Sequence, residues 1–471
     1  MVSITGRLEA RATERSWWSF ASASPRLARA STTLVLLACA YAAMSQGAFY
    51  PGQLRVATVL VLAGLAAALI ATGLSRSDLG APTVAAVALG SWYLLAGALA
   101  HDVGGAIPAV ELLAALAATV MVVRRADENE RRGMLACLIA VGSLLALVGW
   151  EGVAWRQAPR ALADGGLWRA ASTITYANAT AGLLAALAVL ALGWIAESRP
   201  ERLLLAAGTY TLLVGLFATA SRAGVIAFAV GLGWLSVGSR GRVLVRAWPA
   251  VIGALLSTAT LMPSMVASHS PRPLFALCGL VVGLGVAIAP TRVAGALVVA
   301  AAVALLVVPL ARTGVASSLQ QLQRNRVTLS SPDRSNELHA ATRLARDHAV
   351  TGVGPGRVDL TWRVAKPRAT VMHEAYAHNE YLQILDEVGV PGLFLLLAGL
   401  GAVALAIRRG RHVVGINATA GGVAALVVLA AHSSFDFLWH IPLIPLTAAV
   451  IVGTLLSAPF ASNTTLERAN Q

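Results

Sequence analysis

Apolar runs of about 18 to 22 residues recur along most of the chain, and each is long enough to cross a ~30 Å hydrocarbon core as a helix. Helices satisfy their own backbone hydrogen bonds in lipid. The runs consist mainly of Leu, Ala, Val and Gly without alternation, whereas a β-barrel needs short alternating segments. Only 12% of the 471 residues are charged, against roughly 25% in soluble domains. The sequence therefore predicts an all-α, polytopic membrane helix bundle.

The runs divide into about fourteen predicted spans, so we expect a bundle of about 12–14 spans with one long extracytoplasmic helical loop. The predicted spans are 31–49, 54–74, 81–100, 107–123, 133–153, 179–195, 203–220, 223–237, 244–265, 273–289, 293–310, 388–407, 413–431 and 438–458.

The formal charge of +14 comes almost entirely from arginine, because Lys366 is the only lysine. Much of this charge lies in short loops between spans, which indicates membrane orientation rather than nucleic-acid binding. With the N-terminus in the cytoplasm, most loop arginines fall inside. The short outside loops hold only Arg55, Arg156, Arg160, Arg169, Arg222 and Arg272. We therefore predict that the long polar segment is extracytoplasmic.

Five regions follow from these assignments. Residues 1–30 form a cytoplasmic N-terminal tail, 31–310 a transmembrane helix bundle, and 311–387 an extracytoplasmic loop where catalysis is expected. Residues 388–458 form the C-terminal transmembrane helices and 459–471 a second cytoplasmic tail.

Within the polar loop, periodicity predicts a helix over 333–350 with Asp333 as its N-cap, and another over 375–387. The turn 352–356 separates them, and Gly389 with Pro391 forms a joint into the next span. On this interpretation His378 lies on a short amphipathic helix just outside the membrane.

His378 is the first candidate for chemistry, because an imidazole with a pKa near 6.5 suits proton transfer or hydrogen bonding to an anion. The alternative is a surface histidine with one local hydrogen bond. Arg222, at an outside helix junction, either extends to the membrane interface or binds phosphate in a cavity. The positive charge of Arg334 opposes the helix dipole at the start of its predicted helix. This small cost suggests a functional role, and the alternative is a solvated surface arginine.

Further polar residues lie on the same predicted face. Asn178 is either the N-cap of the sixth span or a group that lines a pocket with Tyr176. Asp436 and His440 are four residues apart and are predicted to pair on one helical face, most simply as a structural link.

No metal site is predicted. His373, Glu374 and His378 do not match the HExxH pattern, and the three cysteines lie inside apolar runs without metal-ligand spacing. We expect neither a metal nor another cofactor.

An ordered set of motifs resembles the O-antigen ligase and O-antigen polymerase superfamily of bacterial multi-span glycosyltransferases. The set comprises Tyr176-Ala177-Asn178-Ala179, Ser221-Arg222-Ala223-Gly224, Arg334, Thr351-Gly352-Val353-Gly354-Pro355-Gly356, Ala377-His378-Asn379-Glu380-Tyr381-Leu382-Gln383, Glu387-Val388-Gly389-Val390-Pro391-Gly392 and the segment around Asp436.

The resemblance implies a metal-independent enzyme in the cytoplasmic (inner) membrane that moves a glycan from a polyprenyl-diphosphate carrier to an acceptor hydroxyl on the extracytoplasmic face. The acceptor would be a lipid, a protein or a wall polymer, and no nucleic acid would be bound. The family's essential histidine maps onto His378, and its phosphate-binding arginines map onto Arg222 and Arg334. Substrate-binding candidates are Tyr176, Asn178, Asn379, Asp436 and His440.

Three alternatives stay open at this point. A polymerase of lipid-linked glycan repeat units would differ from a ligase only in its acceptor. A membrane transporter should carry ionisable residues at mid-membrane depth, yet Glu111 is the chief charge well inside a predicted span. A non-catalytic scaffold would tolerate loss of His378.

Overall fold

The computed structural model describes residues 25–195, 202–289, 293–296, 298, 332–359, 376–410 and 414–456. Within these ranges the chain forms fourteen α-helices. They are α1 (Pro25–Met44), α2 (Pro51–Thr72), α3 (Ala81–Leu99), α4 (Ile107–Val123), α5 (Glu128–Trp155), α6 (Ala177–Ile195), α7 (Arg202–Ala218), α8 (Arg222–Ser239), α9 (Arg242–Met265), α10 (Pro273–Ile288), α11 (Pro332–Asp347), α12 (Glu380–Arg409), α13 (Ile416–His432) and α14 (Leu443–Leu455).

The predicted fold class is confirmed. Nine helices of the described ranges are long and apolar enough to cross a membrane, and four shorter apolar helices accompany them. The predicted span 293–310 lies almost entirely outside the described residues. The one sheet in the described part is a hairpin of β1 (Ala161–Asp164) and β2 (Leu167–Ala170), which sits between α5 and α6.

The core is organised around α6, whose side chains are almost all buried. It packs against α7, α8 and α13. Small residues allow the closest approach: a methyl group added at Gly193 would meet the backbone of Gly421, and one at Gly182 would overlap the His432 ring. Close backbone contact of this kind is how helices associate where lipid offers no hydrophobic driving force.

Successive helices reverse direction, so alternate connections gather at the same end of the bundle. We call the end formed by the connections 45–50, 100–106, 156–176, 219–221, 266–272 and 433–442 the site end. These connections hydrogen-bond to one another. At the site end, for example, the Arg156 guanidinium donates to the carbonyls of Ser264 and Val266, at 3.0 and 2.6 Å.

The polar loop is fastened to the site end by its glycine-rich turn. Gly352 adopts a φ of +67°, and an added methyl group there would overlap the Glu387 carbonyl. The Val353 and Gly354 amides donate to the carbonyls of Asp386 and Glu387, at 2.7 and 3.0 Å. The turn therefore packs directly onto the first turns of α12.

In the polar loop, both predicted helices begin at residues other than those expected. The helix predicted at 333–350 begins one residue earlier, at Pro332, so Asp333 is not its N-cap. The helix predicted at 375–387 begins at Glu380 and continues through a kink at Gly389 into the apolar part of α12. The predicted joint at Gly389 is therefore present, whereas His378 precedes the helix and does not lie on it.

Candidate active site

His378 is held at the start of α12 by a cap. The Asn379 carboxamide oxygen accepts a 3.0 Å hydrogen bond from the Leu382 amide, and its nitrogen donates to the Ser434 carbonyl at 3.1 Å. An N-cap residue of this kind satisfies an amide that the first helical turn leaves unpaired. Both ends of the Asn379 side chain are thus engaged within the protein, so its contribution is to fix His378 against the α13–α14 connection.

Asp436 is fully buried beside this segment. One of its carboxylate oxygens accepts from the Tyr176 hydroxyl at 2.6 Å and from the Phe437 amide at 2.9 Å. The predicted Asp436–His440 pair is wrong. Only Leu438–His440 is helical there, as a 3₁₀ turn, so a four-residue spacing does not place the two side chains on one α-helical face.

Arg169, on β2, extends the network away from Asp436. Its guanidinium donates to the Asn178 carboxamide oxygen at 2.6 Å, to the Thr219 carbonyl at 2.9 Å and to Asp164 at 2.6 Å. Asn178 in turn donates to the Tyr176 hydroxyl at 3.4 Å. Asn178 lies inside the first turn of α6, which begins at Ala177, so the N-cap interpretation is wrong. Its side chain instead belongs to this polar network.

Arg222 is the first residue of α8, and Ser221 caps this helix by accepting from the Gly224 amide at 3.3 Å. The Thr219 carbonyl bound by Arg169 belongs to the same tight connection between α7 and α8. The network from Asp436 through Tyr176 and Asn178 therefore ends at the turn that carries Arg222. Arg334 lies in the first turn of α11, and its side chain is outside the described part of the structure.

His440, which is partly buried, forms a second cluster with two buried carboxylates. Its Nδ1 lies 3.2 Å from a carboxylate oxygen of Glu380, and its Nε2 lies 4.0 Å from Glu387. Burial alone would lower the pKa of His440, but the charges of Glu380 and Glu387 outweigh it and raise the pKa from 6.5 to about 9. His440 is therefore an imidazolium at neutral pH, paired with acids that the sequence analysis did not single out.

Aromatic rings connect the two clusters. Phe437 stacks with Tyr176 at 5.0 Å between centroids and with Tyr376 at 5.1 Å. The His378 ring meets Phe437 edge-on at 5.5 Å, and Tyr376 contacts the His440 ring at 4.4 Å. Aromatic pairs at these separations are mutually attractive, so the rings fix the imidazoles relative to each other.

The structure thus brings together Tyr176, Asn178, His378, Asn379, Asp436 and His440, and connects them to the turn of Arg222. Sequence reasoning missed the roles of Arg169, Glu380, Glu387, Tyr376 and Phe437. Two signals were available: Arg169 is one of few arginines in the predicted outside loops, and Glu380 lies inside the motif that carries His378. In the described ranges, no three His, Cys, Asp or Glu side chains are grouped as metal ligands would be.

A comparison with protein families finds a match over residues 256–397 to the family model described as O-Antigen ligase. The matched range includes the C-terminal part of α9, all of α10 and α11, the glycine-rich turn, His378 and the first half of α12. It confirms the predicted resemblance to the O-antigen ligase superfamily, and supports a membrane glycosyltransferase of the ligase or polymerase type. No curated protein matches the chain.

Proposed function

We propose that this protein transfers a glycan from a polyprenyl-diphosphate carrier to an acceptor hydroxyl at the extracytoplasmic face of the cytoplasmic (inner) membrane. The observation that carries the proposal is the continuous network at the site end. It runs from the Arg222 turn through Arg169 and Tyr176 to Asp436, and the ring of Phe437 then meets that of His378. A cationic helix start and an imidazole at one end of a membrane bundle suit a lipid-linked anionic leaving group.

In the proposed reaction, the acceptor oxygen bonds to the anomeric carbon as the bond from that carbon to the diphosphate oxygen breaks. Direct displacement inverts the anomeric centre. The acceptor proton passes to His378, and the electron pair of the broken bond remains on the polyprenyl diphosphate. General base catalysis of this kind contributes roughly 10²- to 10⁴-fold.

Arg222 and Arg334 are assigned to the diphosphate, where negative charge grows in the transition state. Guanidinium groups match phosphate oxygens in a bidentate manner, and one well-placed group contributes about 3 to 4 kcal/mol. Arg222 also lies at the N-terminus of α8, where the helix dipole favours an anion. No metal ion is assigned a role in this scheme.

Tyr176 and Asn178 are assigned to contacts with the substrate, since both lie between the Arg222 turn and His378. The structure supports a different role for three of the other candidates. Asn379 positions His378, and Asp436 positions Tyr176. His440 pairs with Glu380 and Glu387 and contacts the Tyr376 ring. These are positioning residues in the proposal.

The orientation rests on the distribution of arginine. The end opposite the site end carries Arg76, Arg124, Arg125, Arg131, Arg132, Arg240, Arg242, Arg408 and Arg409. Because positive loops generally face the cytoplasm, this distribution supports a site end on the extracytoplasmic face. The lipid tail of the carrier would then lie among the spans, with its diphosphate at the membrane surface.

Glu111 supports an enzyme over a transporter. Its carboxylate lies 3.4 Å from the Arg55 guanidinium, and both residues are in the first turns of their helices, at the site end. Glu111, which the sequence predicts to lie well inside a span, is therefore paired with Arg55 near the site end of the bundle. It does not mark a path through the membrane.

The test uses purified protein in liposomes with a polyprenyl-diphosphate glycan and separate candidate acceptors: a glycolipid, a peptide, a wall polymer and a second lipid-linked glycan. Release of polyprenyl diphosphate is scored, and the product is sized. Transfer to the second lipid-linked glycan would identify a polymerase, and transfer to another acceptor a ligase.

His378→Ala and Arg222→Ala should abolish release while the protein stays folded. Arg55→Ala is the matched control, because Arg55 is an exposed arginine at the same end. Wild-type turnover by either site variant would contradict the scheme.

A further inference from the structure

The short connection between α1 and α2 is strained. Three consecutive residues, Gln46, Gly47 and Ala48, have positive φ values of 50°, 71° and 60°. A side chain disfavours this conformation, so the two non-glycine residues Gln46 and Ala48 persist in it only where the surroundings impose it. Strain of this kind is concentrated at functional sites.

The surroundings that impose it belong to the candidate site. A methyl group added at Gly47 would overlap the Ile441 side chain, which directly follows His440. The Thr173 hydroxyl donates to the Ala43 carbonyl at the end of α1. The connection is therefore packed against the α13–α14 segment and the loop before α6.

The strained connection presents two large aromatic side chains to the outside. Phe49 is 36% exposed and Tyr50 is 54% exposed, and their rings meet edge-on at 5.3 Å. Phe49 contacts Tyr376 at 6.1 Å, and Tyr376 stacks on Phe437, which meets His378. A series of ring contacts thus leads from an exposed aromatic pair to the candidate base.

We propose that Phe49 and Tyr50 form a subsite for a sugar ring of the acceptor. The C–H face of a pyranose packs against the electron-rich face of an aromatic ring, and such sites combine apolar rings with a few polar groups. This inference rests on the proposed function, and it makes the acceptor a carbohydrate.

The assignment to the acceptor follows from the order of the contacts. Tyr176 is on the side of the Arg222 turn, where the donor diphosphate is assigned, and Tyr376 is on the side of Phe49. Phe437 contacts both tyrosines, and His378 meets Phe437. A sugar held at Phe49 and Tyr50 is therefore linked to His378 through Tyr376 and Phe437, whereas the contacts that lead to the Arg222 turn pass through Tyr176.

An aromatic residue at the membrane surface can instead serve as an interfacial anchor. Trp155 provides the matched control. It ends α5 at the site end, is 42% exposed, and its ring contacts Trp150, outside the series that reaches His378.

The experiment measures the apparent KM for acceptor at saturating donor, and for donor at saturating acceptor, in liposomes. The variants are Phe49→Ala, Tyr50→Ala, Phe49→Trp, Tyr50→Phe and Trp155→Ala. A glycolipid and a lipid-linked glycan serve as separate acceptors, which distinguishes the two sources of the sugar. Phe49 and Tyr50 are both partly exposed, so their truncation should leave the protein folded, and the unfolding free energy of each variant is measured alongside.

We expect Phe49→Ala and Tyr50→Ala to raise the KM for acceptor about tenfold, the aromatic replacements to restore it, and the KM for donor to change less than about twofold. Trp155→Ala should leave both constants unchanged. An unchanged KM for acceptor, a raised KM for donor, or an equal effect of Trp155→Ala would each overturn the subsite. Wild-type protein that releases no polyprenyl diphosphate with any acceptor would instead overturn the proposed function itself.

Discussion

The Tyr176 hydroxyl donates a 2.6 Å hydrogen bond to the Asp436 carboxylate, which is fully buried, and the two residues are 260 positions apart in the chain. A buried carboxylate requires hydrogen-bond donors, because an unpaired charge in the interior is costly. The bond joins the start of α6 to the α13–α14 connection. The bond therefore helps to fix the position of the Tyr176 region, which is assigned to the donor, relative to the segment that contacts His378, which is assigned as the base.

We expect Tyr176→Phe to destabilise the protein by about 1 to 3 kcal/mol, since it removes one donor from a buried charged acceptor while the ring that stacks on Phe437 is kept. The measurement is the unfolding free energy in detergent micelles. A double-mutant cycle with Asp436→Asn should give a coupling energy above about 0.5 kcal/mol. Strictly additive effects would contradict the assigned pair.

We expect the contribution of His440 to stability to depend on pH. Its folded-state pKa of about 9 is above the reference value of 6.5, so the ion pair stabilises fully below about pH 6.5 and is lost as the pH rises through 9. At about 1.4 kcal/mol per pKa unit, the contribution is at most about 3 to 4 kcal/mol.

The measurement is the difference in unfolding free energy between wild type and His440→Gln, from about pH 6 to about pH 10. This difference should shrink across that range. His339→Gln, at an exposed position on α11, is the control. A difference that is constant with pH would show that folding does not raise the pKa of His440.

Gly352→Ala should lower both stability and activity. The residue has a φ of +67°, and a methyl group would overlap the Glu387 carbonyl, so the cost should exceed about 1 kcal/mol. The added methyl group would push the glycine-rich turn away from α12 and would shift Glu387, which the turn contacts. Gly401→Ala, in α12 where nothing lies within 4 Å, should be neutral or slightly stabilising in the same unfolding and transfer assays.

Arg169→Lys should raise the KM for donor and lower turnover although the charge is kept. A lysine ammonium cannot reproduce the fork that contacts Asn178, Thr219 and Asp164. The control is Arg160→Lys, because Arg160 makes a half-exposed pair with Glu151 at 2.8 Å. Equal kinetic constants for Arg169→Lys and wild type would show that the Arg169 contacts do not support donor binding or turnover.

The features predicted correctly from sequence are those set by nearby residues. Apolar runs specify the helices because lipid requires each span to satisfy its own backbone. Ser221 before Arg222 predicts a helix start, and Gly389 with Pro391 predicts the joint in α12. The hairpin was missed although Gly165 and Gly166, both with positive φ, occupy the turn position that favours such a pair.

The site contacts could not be predicted in the same way. Whether Asp436 meets Tyr176 or His440 depends on how helices rotate and where connections run, and no local pattern encodes either. The four-residue spacing suggested a pair that a 3₁₀ turn then separated. Glu380 was visible only as part of a motif, because its partner His440 lies 60 residues further along the chain.

The kink at Gly389 leaves backbone groups that the helix cannot pair, and two of them are hydrogen-bonded to other parts of the protein. The Val388 carbonyl accepts from the Trp92 indole at 2.7 Å, and the Val390 amide donates to the Ala349 carbonyl at 2.8 Å. The first turns of α12 are thereby joined to α3 and to the segment after α11 more than to the lipid-facing remainder of their own helix. They should therefore open and close as one cooperative unit with those neighbours, and amide exchange in the first turns of α12 should follow that of the segment after α11 rather than that of the lipid-facing part of the helix.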